Sequence, residues 1–221
     1  MTLLLNGPQW FQGIDAIFGF VYVLVALLIA ALSNKAYKIS GEKKYYYFSL
    51  AFFLMGLAFA LYSFVNWSLL THISPLLSGV LTTFDFAFVI YILLIFLAYT
   101  LLIIITFKIE ESKVGLLIFT LMLLLTIFSY QYYLKFHIIL FILLFLLAHQ
   151  FYTNYTEKKN TNSLLVFISF YLLTCAEIFY VSMVHVNQLL YVVAVILQLL
   201  GFLTLFYMLL RVNYGREKRK A

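Results

Sequence analysis

The sequence has too few charged residues for a soluble protein of its size. Only 10% of its 221 residues are Asp, Glu, Lys or Arg, whereas 66% are hydrophobic. A water-soluble domain of this length lacks the polar side chains to cover so apolar a surface. Lipid tails solvate apolar faces, so a bilayer removes the difficulty. We therefore predict an integral membrane protein.

Cysteine, proline and early basic residues are also scarce. Cys175 is the single cysteine, which excludes an internal disulfide, and its apolar neighbours indicate a small buried hydrophobe. Pro8 and Pro75 are the only prolines, and both lie outside the apolar stretches, so the broken helices of many ion-binding transporters are not indicated. No Lys or Arg precedes Lys35, and we expect no cleavable signal peptide.

Catalytic and cofactor motifs are missing as well. HExxH and GxSxG do not occur, and the last apolar stretch has neither a retinal-type lysine before Arg211 nor the paired histidines of seven-helix hydrolases of the ceramidase and progestin-receptor-like group. His149 has no partner histidine at helical spacing for a haem. Three other histidines and Asp85 do not show metal-ligand spacing: His72, His137 and His185. We predict no enzyme, no metal and no cofactor.

Seven apolar stretches are long enough, or nearly so, to cross a bilayer, which takes about 20 helical residues. They cover residues 14–32, 47–67, 84–107, 114–130, 137–151, 163–184 and 189–212. Short loops make consecutive helices antiparallel neighbours. The expected fold is all-α, with residues 1–221 forming a single domain of seven transmembrane helices and residues 213–221 a basic tail.

Basic residues alternate between the loops. Thirteen of the fourteen Lys and Arg residues fall in the first, third and fifth loops and near the C-terminus, whereas Lys135 alone falls on the opposite side. Loops rich in Lys and Arg stay cytoplasmic, so we predict an outer N-terminus and a cytoplasmic C-terminus, by default in the plasma membrane. Topology explains the positive charge better than nucleic-acid binding does. Four basic tail residues are expected to contact anionic lipid: Arg216, Lys218, Arg219 and Lys220.

An internal duplication is one interpretation of two similar loops. Residues 37–44 (YKISGEKK) and 152–159 (YTNYTEKK) each follow one apolar stretch and precede another, at an offset of 115 residues. Both loops are on the predicted cytoplasmic side, so the repeat is parallel, with three helices, a linker helix and three helices. Chance similarity between two cytoplasmic loops is the alternative.

Ionisable residues inside a bilayer are costly and point to function. Glu177 lies within the sixth stretch, and the seventh brings Gln198 to a similar depth. The other polar residues expected at this level are Tyr62, Ser63, Tyr91, Thr174 and Tyr180. One hypothesis is an outward-opening pocket, with Glu177 as cation ligand, proton carrier or ligand anchor. The other is a carboxyl that ties helices six and seven together through Gln198. Asp15 and Asp85 are explained by their positions at helix N-termini.

Residues 41–61, GEKKYYYFSLAFFLMGLAFAL, resemble a segment of small prokaryotic, archaeal-type seven-helix membrane proteins, in which a basic-aromatic loop precedes an FSLAF-type second helix. The resemblance implies a fold and a membrane setting without an activity, and some such proteins look like the membrane-sensor halves of histidine kinases. The 3+1+3 arrangement is also similar to SWEET-type sugar transporters. That family has a Pro-Gln motif in a helix of each repeat, whereas Pro8-Gln9 precedes the first helix here and has no counterpart.

These observations favour a sensor-like or partner-binding membrane protein with a pocket around Glu177. The basic tail is too short to form a domain, so a signal would pass to a cytoplasmic or membrane partner protein. The first alternative is a small solute or ion transporter of SWEET-like architecture. The second is a structural subunit of a membrane complex.

Overall fold

The computed structural model describes residues 8–70, 77–127, 132–184 and 186–217. Within these ranges the chain forms a short 3-10 turn, Gln9–Phe11, and seven α-helices, which confirms the all-helical prediction. The helices are α1 (Gln12–Ser40), α2 (Lys43–Leu70), α3 (Leu77–Phe107), α4 (Ser112–Ile127), α5 (Tyr132–Lys158), α6 (Thr161–Met183) and α7 (Leu189–Glu217).

Among the described residues, six of these helices are long and apolar enough to cross a bilayer, which makes the chain a multi-pass membrane protein. The exception is α4, with 16 residues. Its described part rises about 24 Å, against a hydrocarbon thickness of about 30 Å. The predicted seventh span over residues 114–130 stays a prediction, because residues 128–131 lie outside the described part and the 16 described residues give only a lower bound on the helix length.

Six helices form a closed ring in which α1 packs on α2, α2 on α3, α3 on α5, α5 on α6, α6 on α7, and α7 returns to α1. The shorter α4 packs on α3 and α5 and leaves Leu116, Leu117 and Leu125 exposed. Exposed leucines suit lipid rather than water. The loops between α1, α2 and α3 and between α5, α6 and α7 are short, which favours packing between sequence neighbours.

Helices α3 and α5 run parallel. The rings of Phe88 and Tyr91, near the start of α3, contact the ring of Phe136, near the start of α5, with centroids 6.2 and 5.7 Å apart. Because α3 and α5 start together, α4 and the residues after it return the chain along the bundle. We call the end with the connections 41–42, 108–111 and 159–160 the basic end, and the opposite end the far end. Which side of the membrane each end faces stays a prediction.

Helices α1, α3 and α5 all end at the basic end on a left-handed residue. These residues are Gly41 (φ 71°), Lys108 (φ 53°) and Lys159 (φ 46°). A left-handed residue after the last turn lets following amides cap the helix carbonyls, as Gly41 N–H does for Tyr37 O at 2.8 Å. The Asn160 side chain then starts α6 by accepting a hydrogen bond from Ser163 N–H at 2.7 Å.

Large apolar side chains fill the middle of the ring. The fully buried aromatic residues are Phe52, Phe96, Phe136, Phe170 and Phe202. Phe202 of α7 meets Phe52 and Phe59 of α2 edge to face, with centroids 6.0 and 5.5 Å apart. Such contacts add about 0.5–1.5 kcal/mol each beyond burial. An apolar layer therefore separates the two ends of the bundle.

Helices α6 and α7 approach closely at Gly201. The Ser169 hydroxyl donates a hydrogen bond to the Gly201 carbonyl at 2.7 Å. A Cβ on Gly201 would lie 2.9 Å from the Leu173 side chain and 3.1 Å from the Ser169 carbonyl oxygen. Small residues at such crossings permit backbone approach in membrane proteins. Glycine is therefore required here for packing.

We predict that Gly201→Ala lowers the unfolding temperature of the purified protein, since the added methyl must push α6 from α7 at a cost of about 1–3 kcal/mol. Gly13→Ala is the matched control, because a Cβ there meets nothing within 4 Å. Thermal unfolding of both variants in one detergent tests this. Equal unfolding temperatures for the two variants would contradict the packing role of Gly201.

Candidate functional site

A small cavity lies inside the ring, toward the far end, and has a volume of about 50 Å³. This is room for a few water molecules or one small ion. Its wall contains Asp15, Glu177, His137 and Gln198, and no Lys or Arg of the described residues. Seven tyrosines complete the polar lining: Tyr22, Tyr62, Tyr91, Tyr99, Tyr133, Tyr180 and Tyr191. The cavity is thus acidic and aromatic.

Glu177 of α6 is paired with His137 of α5. His137 Nδ1 lies 2.6 Å from Glu177 Oε2, and the two residues are only 7% and 5% exposed. The imidazole stacks on the Tyr180 ring at 4.7 Å and meets the edge of the Tyr133 ring at 4.4 Å. Because Glu177 uses an oxygen on His137, the pair connects α5 to α6.

The alternative hypothesis, in which Glu177 ties α6 to α7 through Gln198, does not match the observed contacts. Gln198 Oε1 instead accepts a hydrogen bond from Tyr180 O–H at 2.8 Å. The prediction assumed that α7 would face Glu177 because it follows α6 along the chain. In the ring, α6 lies between α5 and α7, and the carboxylate points to α5.

Asp15 forms a second polar centre, in the first turn of α1. Its Oδ2 accepts hydrogen bonds from Tyr191 O–H of α7 at 2.8 Å and from Asn66 Nδ2 of α2 at 3.3 Å. The hydroxyls of Tyr191 and Tyr62 are 3.4 Å apart. No basic side chain in the described ranges lies within ion-pair distance of Asp15. Its carboxylate therefore accepts hydrogen bonds from neutral groups and has no positively charged partner among the described residues.

Aromatic rings join the two centres around the cavity. The Tyr180 ring, stacked on His137, meets the Tyr191 ring edge to face at 5.6 Å. On the other side the Tyr62 and Tyr91 rings are 5.3 Å apart. Direct side-chain contacts therefore connect Asp15 to the pair on α5 and α6.

The structure brings five of the seven predicted pocket residues to the cavity wall: Tyr62, Tyr91, Glu177, Tyr180 and Gln198. It does not bring the other two there. Ser63 and Thr174 are buried and donate to the carbonyls one turn earlier in their own helices, Phe59 and Phe170, each at 2.7 Å. Buried Ser and Thr hydroxyls in apolar helices commonly donate a hydrogen bond to a carbonyl of their own helix in this way. Ligand binding in the cavity stays a prediction.

The basic tail is described only in part. Arg216 lies in the last turn of α7, and the other predicted lipid-contacting residues, Lys218, Arg219 and Lys220, lie outside the described residues. His72 and His185 also lie outside the described residues.

Sequence reasoning did not assign three central residues to the site. The sequence accounts for Asp15 by its place at a helix N-terminus, offers His137 only as a metal ligand, and gives no reason to single out Tyr191. Asp15 does lie in a first helical turn, but its carboxylate also faces the interior. Acidic residues are scarce at membrane depth, so each of them is a candidate functional residue. This was the signal in the sequence that could have identified Asp15.

Two helical hairpins contribute matching positions to the cavity. The hairpin connections coincide when shifted by 118 residues, since α1 and α5 end at Ser40 and Lys158 while α2 and α6 begin at Lys43 and Thr161. The same shift relates all five cavity residues of the first hairpin to cavity residues of the second: Asp15 to Tyr133, Gly19 to His137, Tyr22 to Leu140, Phe59 to Glu177 and Tyr62 to Tyr180.

The predicted offset of 115 residues therefore does not match the hairpins. It aligned the two Glu-Lys-Lys sequences, but these occupy different structural positions. Glu42 lies in the first connection and is followed by the start of α2, whereas Glu157 and Lys158 belong to the last turn of α5. The difference of three residues is about one helical turn, which keeps the same helix face toward the cavity.

The chain matches no protein-family model, no curated protein and no solved structure. The function of the protein must therefore be inferred from the residues that line the cavity.

We predict strong coupling between His137 and Glu177. Replacing Glu177 by Leu leaves a buried imidazole without its partner, which costs about 3–5 kcal/mol for a broken buried pair. His137→Leu in the same chain should then cost much less than it does alone. Unfolding free energies of the wild type, both single variants and the double variant measure this. Additive effects would show that the two side chains act independently.

Proposed function

We propose that this protein is a sensor-like membrane protein of the cell envelope that binds a small ammonium-type cation in the cavity. The observation that carries this proposal is Asp15, a carboxylate in the cavity wall without a basic partner among the described residues. Uncompensated charge inside a membrane protein is expensive and marks a site that a ligand or ion completes. A cation at Asp15 would supply the missing counter-charge.

The wall suits an ammonium ion better than a hard metal ion. Tyrosine and phenylalanine faces attract weakly hydrated cations, and aromatic cages with a carboxylate are typical of ammonium recognition. Calcium and magnesium instead require six or more oxygen ligands in a defined geometry. An ammonium ion also donates hydrogen bonds, which Asp15, the tyrosine hydroxyls and Gln198 can accept. The volume of about 50 Å³ favours ammonium or methylammonium.

Binding at Asp15 can alter helix packing. Asp15 connects α1 to α2 through Asn66 and to α7 through Tyr191. A cation that takes over the carboxylate weakens both contacts, and α7 continues to the basic end of the bundle. We propose that a partner protein binds α7 at the basic end and responds to its movement.

Charge at the basic end favours sensing over transport of a cation. A second, larger cavity opens there, and four basic side chains line it: Lys44, Lys108, Lys158 and Arg211. A cation leaving the acidic cavity in that direction would first cross the buried phenylalanine layer and then meet this positive field. Both barriers oppose passage without affecting binding.

Transport is the second candidate, and the matching hairpins favour it. Parallel repeats in transporters place the substrate site at the interface between the repeats. Here α1–α2 and α5–α6 contribute equivalent positions to one cavity. A structural subunit would explain the tie between His137 and Glu177 but not the unpaired Asp15.

We predict that methylammonium chloride raises the unfolding temperature of the wild type in a saturable way, beyond the effect of sodium chloride at equal ionic strength, because binding to the folded state stabilises it. Asp15→Asn removes the counter-charge and should weaken this response about tenfold or more. Glu110→Gln, at an exposed loop residue of the basic end, removes the same charge and should leave the response intact. No methylammonium effect on the wild type would contradict the proposal.

The sensor and transporter functions are separated by a flux measurement. Proteoliposomes containing the wild type should take up radiolabelled methylammonium no faster than empty liposomes at neutral pH, where the amine is almost entirely protonated. Binding without uptake agrees with the sensor. Uptake that Asp15→Asn abolishes and Glu110→Gln preserves would make the protein a transporter that uses the same cavity.

A further inference from the structure

The cavity at the basic end has a volume of about 1320 Å³ and opens between α2, α3, α5, α6 and α7. It is separate from the acidic cavity, and no residue lines both. We call it the basic vestibule. Its volume exceeds the range of about 300–1,000 Å³ that is common for small-molecule sites. It can therefore accept a ligand larger than a single ion.

Positive charge dominates the vestibule wall. Four basic residues reach it from different parts of the chain, against a single acidic residue, Glu157. Lys44 forms an ion pair with Glu42 and lies 5.1 Å from the centre of the Tyr45 ring. No acidic side chain in the described part of the chain lies within ion-pair distance of Lys108, Lys158 or Arg211. Three basic side chains thus share one concave surface with Glu157 without forming an ion pair to it or to another described acidic residue.

This arrangement attracts an anion. A cleft lined by charge of one sign concentrates the field, particularly beside a low-dielectric wall. Lysine and arginine both bind phosphate, lysine as a point charge and arginine through its planar fork. A phosphate group between Lys108, Lys158 and Arg211 would neutralise charge that the protein leaves unpaired.

The remaining wall suits a polar headgroup attached to an apolar body. Asn162 has a buried Oδ1 without a hydrogen-bond partner, and Asn154 and Gln150 lie in the same wall. These amides can bind the hydroxyl or ester oxygens beside a phosphate. The apolar side chains of the wall include Phe48, Ile105, Phe151, Val166 and Met208. These apolar side chains lie in the same wall as the basic residues and can pack against the first carbons of an acyl chain.

We propose that the basic vestibule is a binding site for a phosphate-bearing anion, with the phosphate between Lys108, Lys158 and Arg211. The ligand's source is either the headgroup of an anionic phospholipid or a soluble phosphate compound. The site does not depend on cation binding in the acidic cavity. Occupation of the vestibule would hold α3, α5 and α7 together at the basic end.

The experiment compares the full-length wild type with a vestibule variant, Lys108→Gln with Arg211→Gln. Both side chains are exposed, so the core is not altered. The matched control is Lys38→Gln with Lys135→Gln, which removes two exposed charges outside the vestibule. Protein in neutral detergent is titrated with phosphatidylglycerol or phosphatidylcholine, and its unfolding temperature is measured.

Phosphatidylglycerol should stabilise the wild type and the control equally, and more than phosphatidylcholine does. In the vestibule variant the apparent affinity for phosphatidylglycerol should fall about fivefold per lost charge, and about 25-fold in total, on the scale of about 1 kcal/mol per basic residue near an anionic surface. The single variant Lys108→Gln should show the fivefold effect alone. A charge-preserving exchange, Lys108→Arg with Arg211→Lys, should keep most of the response.

A second arm identifies the source of the phosphate. Inorganic phosphate and pyrophosphate are added to lipid-free protein, with sodium sulfate at equal ionic strength as reference. Stabilisation by phosphatidylglycerol alone indicates a lipid headgroup, and stabilisation by pyrophosphate as well indicates a soluble ligand. The proposal is overturned if neither probe stabilises the wild type, or if the control variant loses as much of the response as the vestibule variant.

Discussion

The exclusion of water from the bilayer core is the constraint on which this structure depends. Backbone groups in hydrocarbon must be paired within the segment, so the long apolar segments are helical. Ionisable side chains in such segments must find partners inside the protein, so they face the interior of the ring. His137 and Glu177 satisfy one another at 2.6 Å, whereas Asp15 accepts only neutral donors. This difference is the basis for proposing a structural role for Glu177 and a ligand at Asp15.

The bundle separates charges of opposite sign along its axis. Asp15 and Glu177 line the cavity toward the far end, and the basic residues Lys108, Lys158 and Arg211 line the vestibule at the other. A layer of buried phenylalanines lies between them. In a low-dielectric medium such a separation is costly unless each end is neutralised by a ligand, by lipid or by solvent. Both proposed sites follow from this electrostatic requirement.

Prediction from the sequence succeeded where local composition decides the outcome. Six of the seven predicted spans coincide with long apolar helices, and five of the seven predicted pocket residues line one cavity. Prediction failed where a side chain can form its hydrogen bond with more than one neighbour. Ser63 and Thr174 bond to their own helices, which hydropathy cannot reveal. The sequence aligned the two hairpins with an offset of 115 residues, whereas the helix bounds align with an offset of 118, about one helical turn more. The reason is that the two Glu-Lys-Lys sequences lie in different parts of the two hairpins.

By itself the sequence determined that the chain is helical, that it lies in a membrane, and that Glu177 faces a polar interior. These properties follow from the length and hydropathy of each segment, which are local. Only the tertiary structure decided that Glu177 pairs with His137, that Asp15 joins α1, α2 and α7, and that unpaired basic residues surround one vestibule. The residues involved are as many as 176 positions apart, and the order of helices around the ring decides which of them meet.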